Sequence, residues 1–113
     1  MRRRALQGMA AYYLLTGLWP ILHMRTFEAV TGPKRDRWLV KMVGALALAN
    51  GAVLAYGASR ERIAPETIAL AAASAAAFAA IDVVYVVRGT IAPVYLGDAA
   101  AEVALAAAIV AGE

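Results

Sequence analysis

Three long runs of the chain contain no charged side chain, and they constrain its fold more than any other feature. These runs extend over Ala5–Met24, Met42–Ser59 and Thr67–Ile81. A membrane-spanning helix needs about 20 mainly apolar residues, and two of the runs reach the usual range of about 17–25 without help. The third run reaches it when Asp82 is placed inside the span. A soluble bundle would show a polar stripe along each helix, whereas these charges gather between the segments, so we predict a polytopic membrane protein.

The predicted fold is all-α, an antiparallel bundle of four transmembrane helices that forms a single domain over residues 1–113. The predicted helices cover about 5–24, 38–58, 65–87 and 93–111, and a polar interfacial segment covers 23–37. Pro20 should kink the first helix near Thr16–Gly17, because proline lacks a backbone donor. The short turn between the second and third helices predicts that these two helices are adjacent and antiparallel. Alanines spaced four residues apart predict close helix packing and are also compatible with a homodimer.

Composition excludes several classes of function. Hydrophobic residues make up 63% of the chain, against roughly 45–50% in ordinary soluble domains. The absence of cysteine excludes disulfides, thiolate catalysis and Cys-ligated metals. The net charge of +3 arises from bases at helix ends and in loops, as membrane proteins commonly show, so no nucleic-acid partner is predicted. The start resembles a signal peptide, but bulky residues stand where a cleavage site would need small ones, which predicts a retained first helix.

Polar chemistry is concentrated in the half of the predicted bundle that lies away from the N-terminus, which we call the distal half. The stretch Trp19–Lys41 holds both tryptophans, the only histidine and five of the eleven basic residues. Helices three and four bring acids to similar depths, whereas Tyr12 and Tyr13 are assigned to the opposite half. The candidate ligand-binding or proton-coupling residues are Glu102, Asp98, Asp82, His23, Arg25, Lys41, Tyr85 and Arg88.

The last helix is a poor independent span. Asp98 and Glu102 are four residues apart and therefore share one helical face. Each acid in mid-membrane costs about 2.5–3.5 kcal/mol on the insertion scale, which offsets most of the gain from the apolar residues of this helix. We therefore predict that both carboxyl groups point into the bundle. Their predicted partners are Arg25, Lys41, Arg88, Tyr85 or Tyr95.

Two other interpretations of the polar residues remain open. The acids and bases can form a buried ionic network that only fixes the order of the helices. A metal site built from His23, Asp82, Asp98 and Glu102 is chemically feasible, but it lacks a diagnostic spacing such as Glu-x-x-His, so no metal and no cofactor are predicted. Neither a nucleophile–base pair nor a phosphate-binding loop is recognisable, so no catalytic residue is assigned and an enzyme is disfavoured.

The stretch Tyr13–Gly44 resembles small, uncharacterised bacterial four-helix membrane proteins. This resemblance covers roughly a quarter of the chain and implies only a bacterial inner-membrane protein, without assigning any functional residue. Inward carboxylates in four-helix membrane bundles also occur in small multidrug transporters and in sterol-isomerase-like binding proteins. The small-transporter pattern places a glutamate in the middle of the first helix, and here no acid precedes Glu28.

Three functions fit the sequence. The first is a carboxylate-lined pocket in half of the membrane that binds a lipid-like or cationic small molecule, with membrane lipids as further partners. The second is a non-catalytic accessory or assembly subunit, and the third is a proton- or cation-coupled transporter. Because basic residues are almost equally divided between the two ends, orientation rests on the first helix, which usually dominates, and we predict cytoplasmic N- and C-termini.

Overall fold

The computed structural model describes residues 1–112 and shows five α-helices and no strand within them. The all-helical class predicted from the sequence is therefore confirmed. The helices are α1 (Arg2–Leu22), α2 (Met24–Thr31), α3 (Arg37–Ser59), α4 (Pro65–Val87) and α5 (Tyr95–Ala111). The first predicted helix thus begins and ends earlier than expected, and α5 starts two residues later than predicted. Within the predicted interfacial segment 23–37, residues 24–31 form a separate short helix.

The break between α1 and α2 lies at His23 and not at the proline. α1 remains helical through Pro20, and the helix ends where His23 takes a non-helical conformation with φ −149° and ψ 75°. His23 also serves as the N-cap of α2, since its Nδ1 accepts a hydrogen bond from the backbone N–H of Thr26 at 3.3 Å. Gly32, with φ 99°, ends α2 in a conformation that favours glycine.

α1 packs mainly against α3, and glycines set how closely the two helices approach. Gly17 and Gly44 are both buried, and a Cβ atom added to Gly17 would lie 2.5 Å from the carbonyl oxygen of Gly44. A Cβ atom added to Gly51 would likewise lie 2.9 Å from the carbonyl oxygen of Ala10. Small residues allow this backbone contact, which is the usual way in which helices associate closely in membranes.

α4 packs mainly against α5, through the predicted alanine face: Ala71, Ala75 and Ala79 are buried. α3 and α4 are antiparallel neighbours in sequence but share only a limited contact. They meet near their connecting turn, where Gly57 approaches Thr67, and farther along the Asn50 side chain donates to Ser74 Oγ at 3.0 Å. The bundle is therefore mainly two helix pairs, and the predicted adjacency of α3 and α4 holds only for part of their length.

The start of α1, the end of α5 and the α3–α4 turn lie at the same end of the molecule, which we call the proximal end. Arg2 Nε donates to the carbonyl oxygen of Ile109 at 2.7 Å in the last turn of α5. Arg3 donates to the carbonyl oxygens of Ala58, Arg60 and Glu61, around the end of α3. Arginine satisfies carbonyl groups that a helix leaves unpaired at its C-terminus and matches their partial negative charge.

Two helices, α3 and α4, are long and apolar enough to cross a membrane by length and composition, with mean hydropathies of 1.6 and 2.0. Only 22% of each apolar window is buried inside the molecule. Large apolar side chains are correspondingly exposed, including Leu46 at 62%, Val53 at 53% and Val87 at 79%. An exposed apolar surface of this extent is unusual for a monomeric soluble protein. α1 and α5 do not meet the same measure, and α5 is only 17 residues long.

Candidate functional site

The most deeply buried acid of the described residues pairs with a tyrosine. Glu102, near the middle of α5, is 1% exposed, and Tyr13, near the middle of α1, is equally buried. The Tyr13 hydroxyl donates a hydrogen bond to Glu102 Oε1 at 2.5 Å. The Tyr13 ring also packs against Phe78 of α4, with ring centroids 5.5 Å apart. This contact joins α1, α4 and α5 at the centre of the bundle.

A second tyrosine–carboxyl pair lies beside the first. The Tyr12 hydroxyl donates to Asp98 Oδ1, one helical turn along α5 from Glu102. Asp98 is half-buried, so this pair is nearer to the surface than the pair of Tyr13 and Glu102. The prediction that Asp98 and Glu102 share one inward face is confirmed by these contacts.

Asp82, from the last part of α4, supplies a third carboxyl group to the same region. It is only 6% exposed, and its Oδ2 atom has no hydrogen-bond partner among residues 1–112. Both Asp98 and Glu102 lie close enough to interact with it, and Asp98 is in side-chain hydrogen-bonding range. A buried polar atom without a partner is rare in folded proteins, since its desolvation is not compensated. Such an atom is a candidate contact for a ligand in this region.

The three carboxyl groups line one cavity of about 510 Å³. This volume is within the range of about 300–1,000 Å³ that ligand pockets occupy. The remaining wall is mainly apolar and comes from both helix pairs: Val43, Gly44 and Ala47 of α3, and Ala77, Phe78 and Ile81 of α4. Val43 and Ile81 are themselves 45% and 56% exposed, so the cavity opens outward between α3 and α4. This is the region where these two helices separate.

Lys34 is the one basic residue in the wall of this cavity. Its Nζ atom donates to the carbonyl oxygen of Thr31 at 3.0 Å and lies 4.9 Å from the centre of the Tyr95 ring. A second ring, that of Phe27, lies 5.8 Å away. Contacts of this kind stabilise an ammonium group through the negative face of the ring. Lys34 is therefore held by a carbonyl group and aromatic rings and forms no ion pair with a cavity acid.

The segment that holds Lys34 is fixed to α2 by Glu28. Glu28 Oε2 accepts the backbone N–H of Lys34 at 2.8 Å, and Oε1 accepts from the Arg37 guanidinium at 2.8 Å. The Lys34 N–H and the Arg37 side chain together hold the pKa of Glu28 below its ordinary value, because both stabilise the ionised carboxylate. α2 is also held to α1, since the Trp19 indole N–H donates to Thr26 Oγ1 at 2.8 Å.

The structure brings together three of the eight candidate residues and separates the other five from the cavity. Asp82, Asp98 and Glu102 line the cavity, whereas His23, Arg25, Lys41, Tyr85 and Arg88 do not. His23 is engaged in capping α2, and Arg88 lies over the ring of Tyr85 at 5.9 Å. Arg25 and Lys41 are exposed.

The predicted partners of the acids require correction. Tyr12 and Tyr13 fill that role, although the sequence placed them in the opposite half of the bundle. Of the partners predicted, only Tyr95 lines the cavity, and it makes no hydrogen bond with Asp98 or Glu102 among the described residues. α1 begins at Arg2 and ends at Leu22, so Tyr12 lies at its midpoint and its long side chain reaches the distal acids. Lys34 was also missed, because an Arg-rich turn is usually solvated.

Comparison of the chain with protein-family models, with curated proteins and with solved structures gives no match. The function proposed for the protein therefore rests on the geometry of the cavity. Among residues 1–112 no group of three His, Asp or Glu side chains is arranged to hold a metal ion. An apolar cavity with several carboxyl groups and no paired base favours an occupant that supplies positive charge or protons.

Proposed function

We propose that the chain is a multi-pass protein of a bacterial inner membrane, with α1, α3, α4 and α5 as its four spans and α2 at the membrane surface. The exposed apolar side chains of α3 and α4 support this arrangement, because lipid would cover them. The longest dimension of the molecule, 42 Å, also fits a bilayer of about 40–45 Å including its headgroup regions. Both termini and the α3–α4 turn then lie on the cytoplasmic side, with Lys34 on the other.

Single cysteines test this topology directly, because the chain has none of its own. We expect Arg4→Cys, Glu61→Cys and Gly112→Cys to react with a membrane-impermeant maleimide from the cytoplasmic side only. Arg35→Cys should react from the opposite side only. Labelling of Glu61→Cys and Arg35→Cys from the same side would refute the four-span arrangement.

We further propose that the cavity binds a cationic amphiphile. The observation that supports this most strongly is the set of three cavity carboxyl groups without a basic partner: the only ion pair among residues 1–112 is that of Glu28 with Arg37, outside the cavity. Burying a carboxylate without a partner is costly, and one tyrosine hydroxyl does not compensate a full negative charge. A cation in the cavity would supply the missing compensation.

The shape of the cavity supports an amphiphile in particular. The polar groups converge from α1, α4 and α5, whereas the wall toward α3 is apolar. Because the cavity opens between α3 and α4, a ligand dissolved in the lipid could enter sideways with its cationic end toward Asp82 and Glu102. Ligand pockets commonly combine a mainly apolar wall with a few polar groups that fix orientation.

A pair of probes of nearly equal size and opposite charge tests this proposal. The protein is reconstituted into phosphatidylcholine nanodiscs, and binding of tetraphenylphosphonium and of tetraphenylborate is measured against empty nanodiscs. We expect saturable binding of the cation only, weakened by Glu102→Gln and by Asp82→Asn. Glu66→Gln, at an exposed position in the first turn of α4, is the matched control and should leave binding unchanged. Equal uptake by protein-containing and empty nanodiscs would refute the proposal.

The accessory-subunit alternative has a distinct outcome. If the carboxyl groups only order the bundle, replacing Glu102 together with Tyr13 by apolar residues should leave the stability of the protein unchanged or higher. Ligands should then have no effect on that stability.

A proton-coupled transporter is the other alternative, favoured by the contact between the acids Asp82 and Asp98. It predicts proton movement across liposomes that Asp82→Asn abolishes.

A further inference from the structure

The carboxyl group of Asp82 is the one member of the cavity set whose buried oxygen lacks a donor. Tyr12 donates to Asp98 and Tyr13 donates to Glu102, whereas Asp82 Oδ2 has no partner among residues 1–112. We propose that the cavity selects a primary or secondary ammonium group over a quaternary one, and that Asp82 accepts the N–H bond that makes the distinction. This inference rests on the proposed binding of a cationic amphiphile.

None of the hydroxyl groups at or beside the cavity donates to Asp82. A tyrosine or threonine hydroxyl has one proton to donate. Those of Tyr12 and Tyr13 go to the other two acids, and that of Thr16 goes to the carbonyl oxygen of Tyr12 at 2.7 Å. Tyr95 lines the cavity without a hydrogen bond to Asp82. No wall hydroxyl therefore satisfies Asp82 Oδ2.

The charged groups that face Asp82 supply no donor when they are ionised. α5 contributes Asp98, which is in side-chain hydrogen-bonding range of Asp82, and Glu102; both are acceptors in the ionised form, and α3 contributes only apolar side chains to this wall. Lys34 is the single cation of the wall, and its ammonium group is engaged with the Thr31 carbonyl and the Tyr95 ring. When the cavity acids are ionised, an N–H donor of the occupant would therefore satisfy Asp82.

The chemistry of the occupant follows from this requirement. An alkylammonium group carries a positive charge and up to three N–H donors, whereas a trimethylammonium group carries the charge alone. Hydrogen bonds between ionised groups are shorter and stronger than neutral ones. A site built around a buried polar atom discriminates strongly against a ligand that leaves this atom unpaired. Asp82 is thus expected to act as a specificity-determining residue.

Two sources in a membrane supply this chemistry. One is the headgroup of phosphatidylethanolamine, which ends in a primary ammonium group, and the other is a free amphiphilic amine dissolved in the lipid. Both could reach the cavity through the opening between α3 and α4, where Val43 and Ile81 are exposed. Phosphatidylcholine has a quaternary headgroup without an N–H donor, so it is a suitable reference lipid in which to measure the binding of either ligand.

The test compares dodecylamine with dodecyltrimethylammonium as competitors of bound tetraphenylphosphonium, in nanodiscs of pure phosphatidylcholine. Partitioning into empty nanodiscs is measured for each compound, so that affinities refer to equal concentrations in the lipid. We expect the amine to bind roughly 10- to 100-fold more tightly, the range that one charge-assisted hydrogen bond supplies. The Asp82→Asn variant should lose most of this preference, and Glu66→Gln should keep it.

The outcomes separate the two proposals. If both cations displace the probe with equal affinity, ammonium selectivity is refuted while cation binding stands. If tetraphenylphosphonium itself does not bind, the proposed function fails and the selectivity with it. A preference that persists undiminished in Asp82→Asn would also refute the role of Asp82. Where selectivity holds, replacing part of the phosphatidylcholine by phosphatidylethanolamine identifies the source, because a headgroup ligand would weaken dodecylamine binding in proportion to its fraction.

Discussion

The hydrogen bond between Tyr13 and Glu102 offers the sharpest test of how the bundle is stabilised. Tyr13→Phe removes one hydroxyl from a fully buried pair and leaves Glu102 Oε1 without a donor. An unsatisfied buried acceptor costs about 1–3 kcal/mol, and more when it is charged. Tyr12→Phe is the matched control: it removes the corresponding hydroxyl beside Asp98, but this acid is only half-buried, so its desolvation is less complete and a smaller loss is expected.

The contribution of the pair itself follows from a double-mutant cycle with Tyr13→Phe and Glu102→Leu. Hydrogen bonds between membrane helices contribute about 0.6 kcal/mol on average and up to about 1.7 kcal/mol. We expect a coupling free energy toward the upper part of that range, because both side chains are about 1% exposed. The double variant should be more stable than the sum of the single losses predicts. Reversible unfolding in mixed micelles gives the four free energies, and a coupling of zero within error would refute the assigned contact.

The remaining predictions concern the helix interfaces and the distal turn. Gly17→Ala should destabilise the protein by about 1–3 kcal/mol in thermal or denaturant unfolding, because its Cβ would overlap the α3 backbone, whereas Gly97→Ala, with open space around it, should be neutral or slightly stabilising. Arg3→Ala should lower the free energy of unfolding by about 1 kcal/mol, because it removes hydrogen bonds to the carbonyl groups around the end of α3. Arg4→Ala, at an exposed position, is the control, and equal stability of the two variants would contradict the role of Arg3. The pKa of Glu28 is lowered in the folded state, so its stabilising contribution is present above the unfolded pKa and is lost as pH falls through the folded pKa. The amide proton shift of Lys34 should titrate with this group in NMR spectra, and the titration should be absent in Glu28→Gln.

The helical class could be predicted from the sequence, because long charge-free runs bounded by charged residues are typical of membrane-spanning helices. The helix starting at Pro65 was predicted at its observed boundary, since proline suits a first helical position and Glu66 suits the first turn. The division of 23–37 into α2 and a loop was harder to predict, because His23 is not a helix breaker by type. His23 ends α1 because of local contacts: its ring caps the N-terminus of α2, and the Trp19 indole donates a hydrogen bond to Thr26.

The acidic residues of the candidate site could be predicted from the sequence, whereas the tyrosines that donate hydrogen bonds to them could not. The spacing of Asp98 and Glu102 determines a common face, and the cost of exposing that face to lipid determines that it points inward. No comparable rule links Tyr12 with Tyr13, because consecutive residues on a helix do not face each other. Both nevertheless reach α5, because glycines bring α1 close to α3 and leave its opposite face to the acids. The signal available in the sequence was a pair of hydroxyl-bearing aromatics at the centre of an otherwise apolar span. In lipid such a hydroxyl needs an acceptor, and the acids of α5 are the ones at that depth.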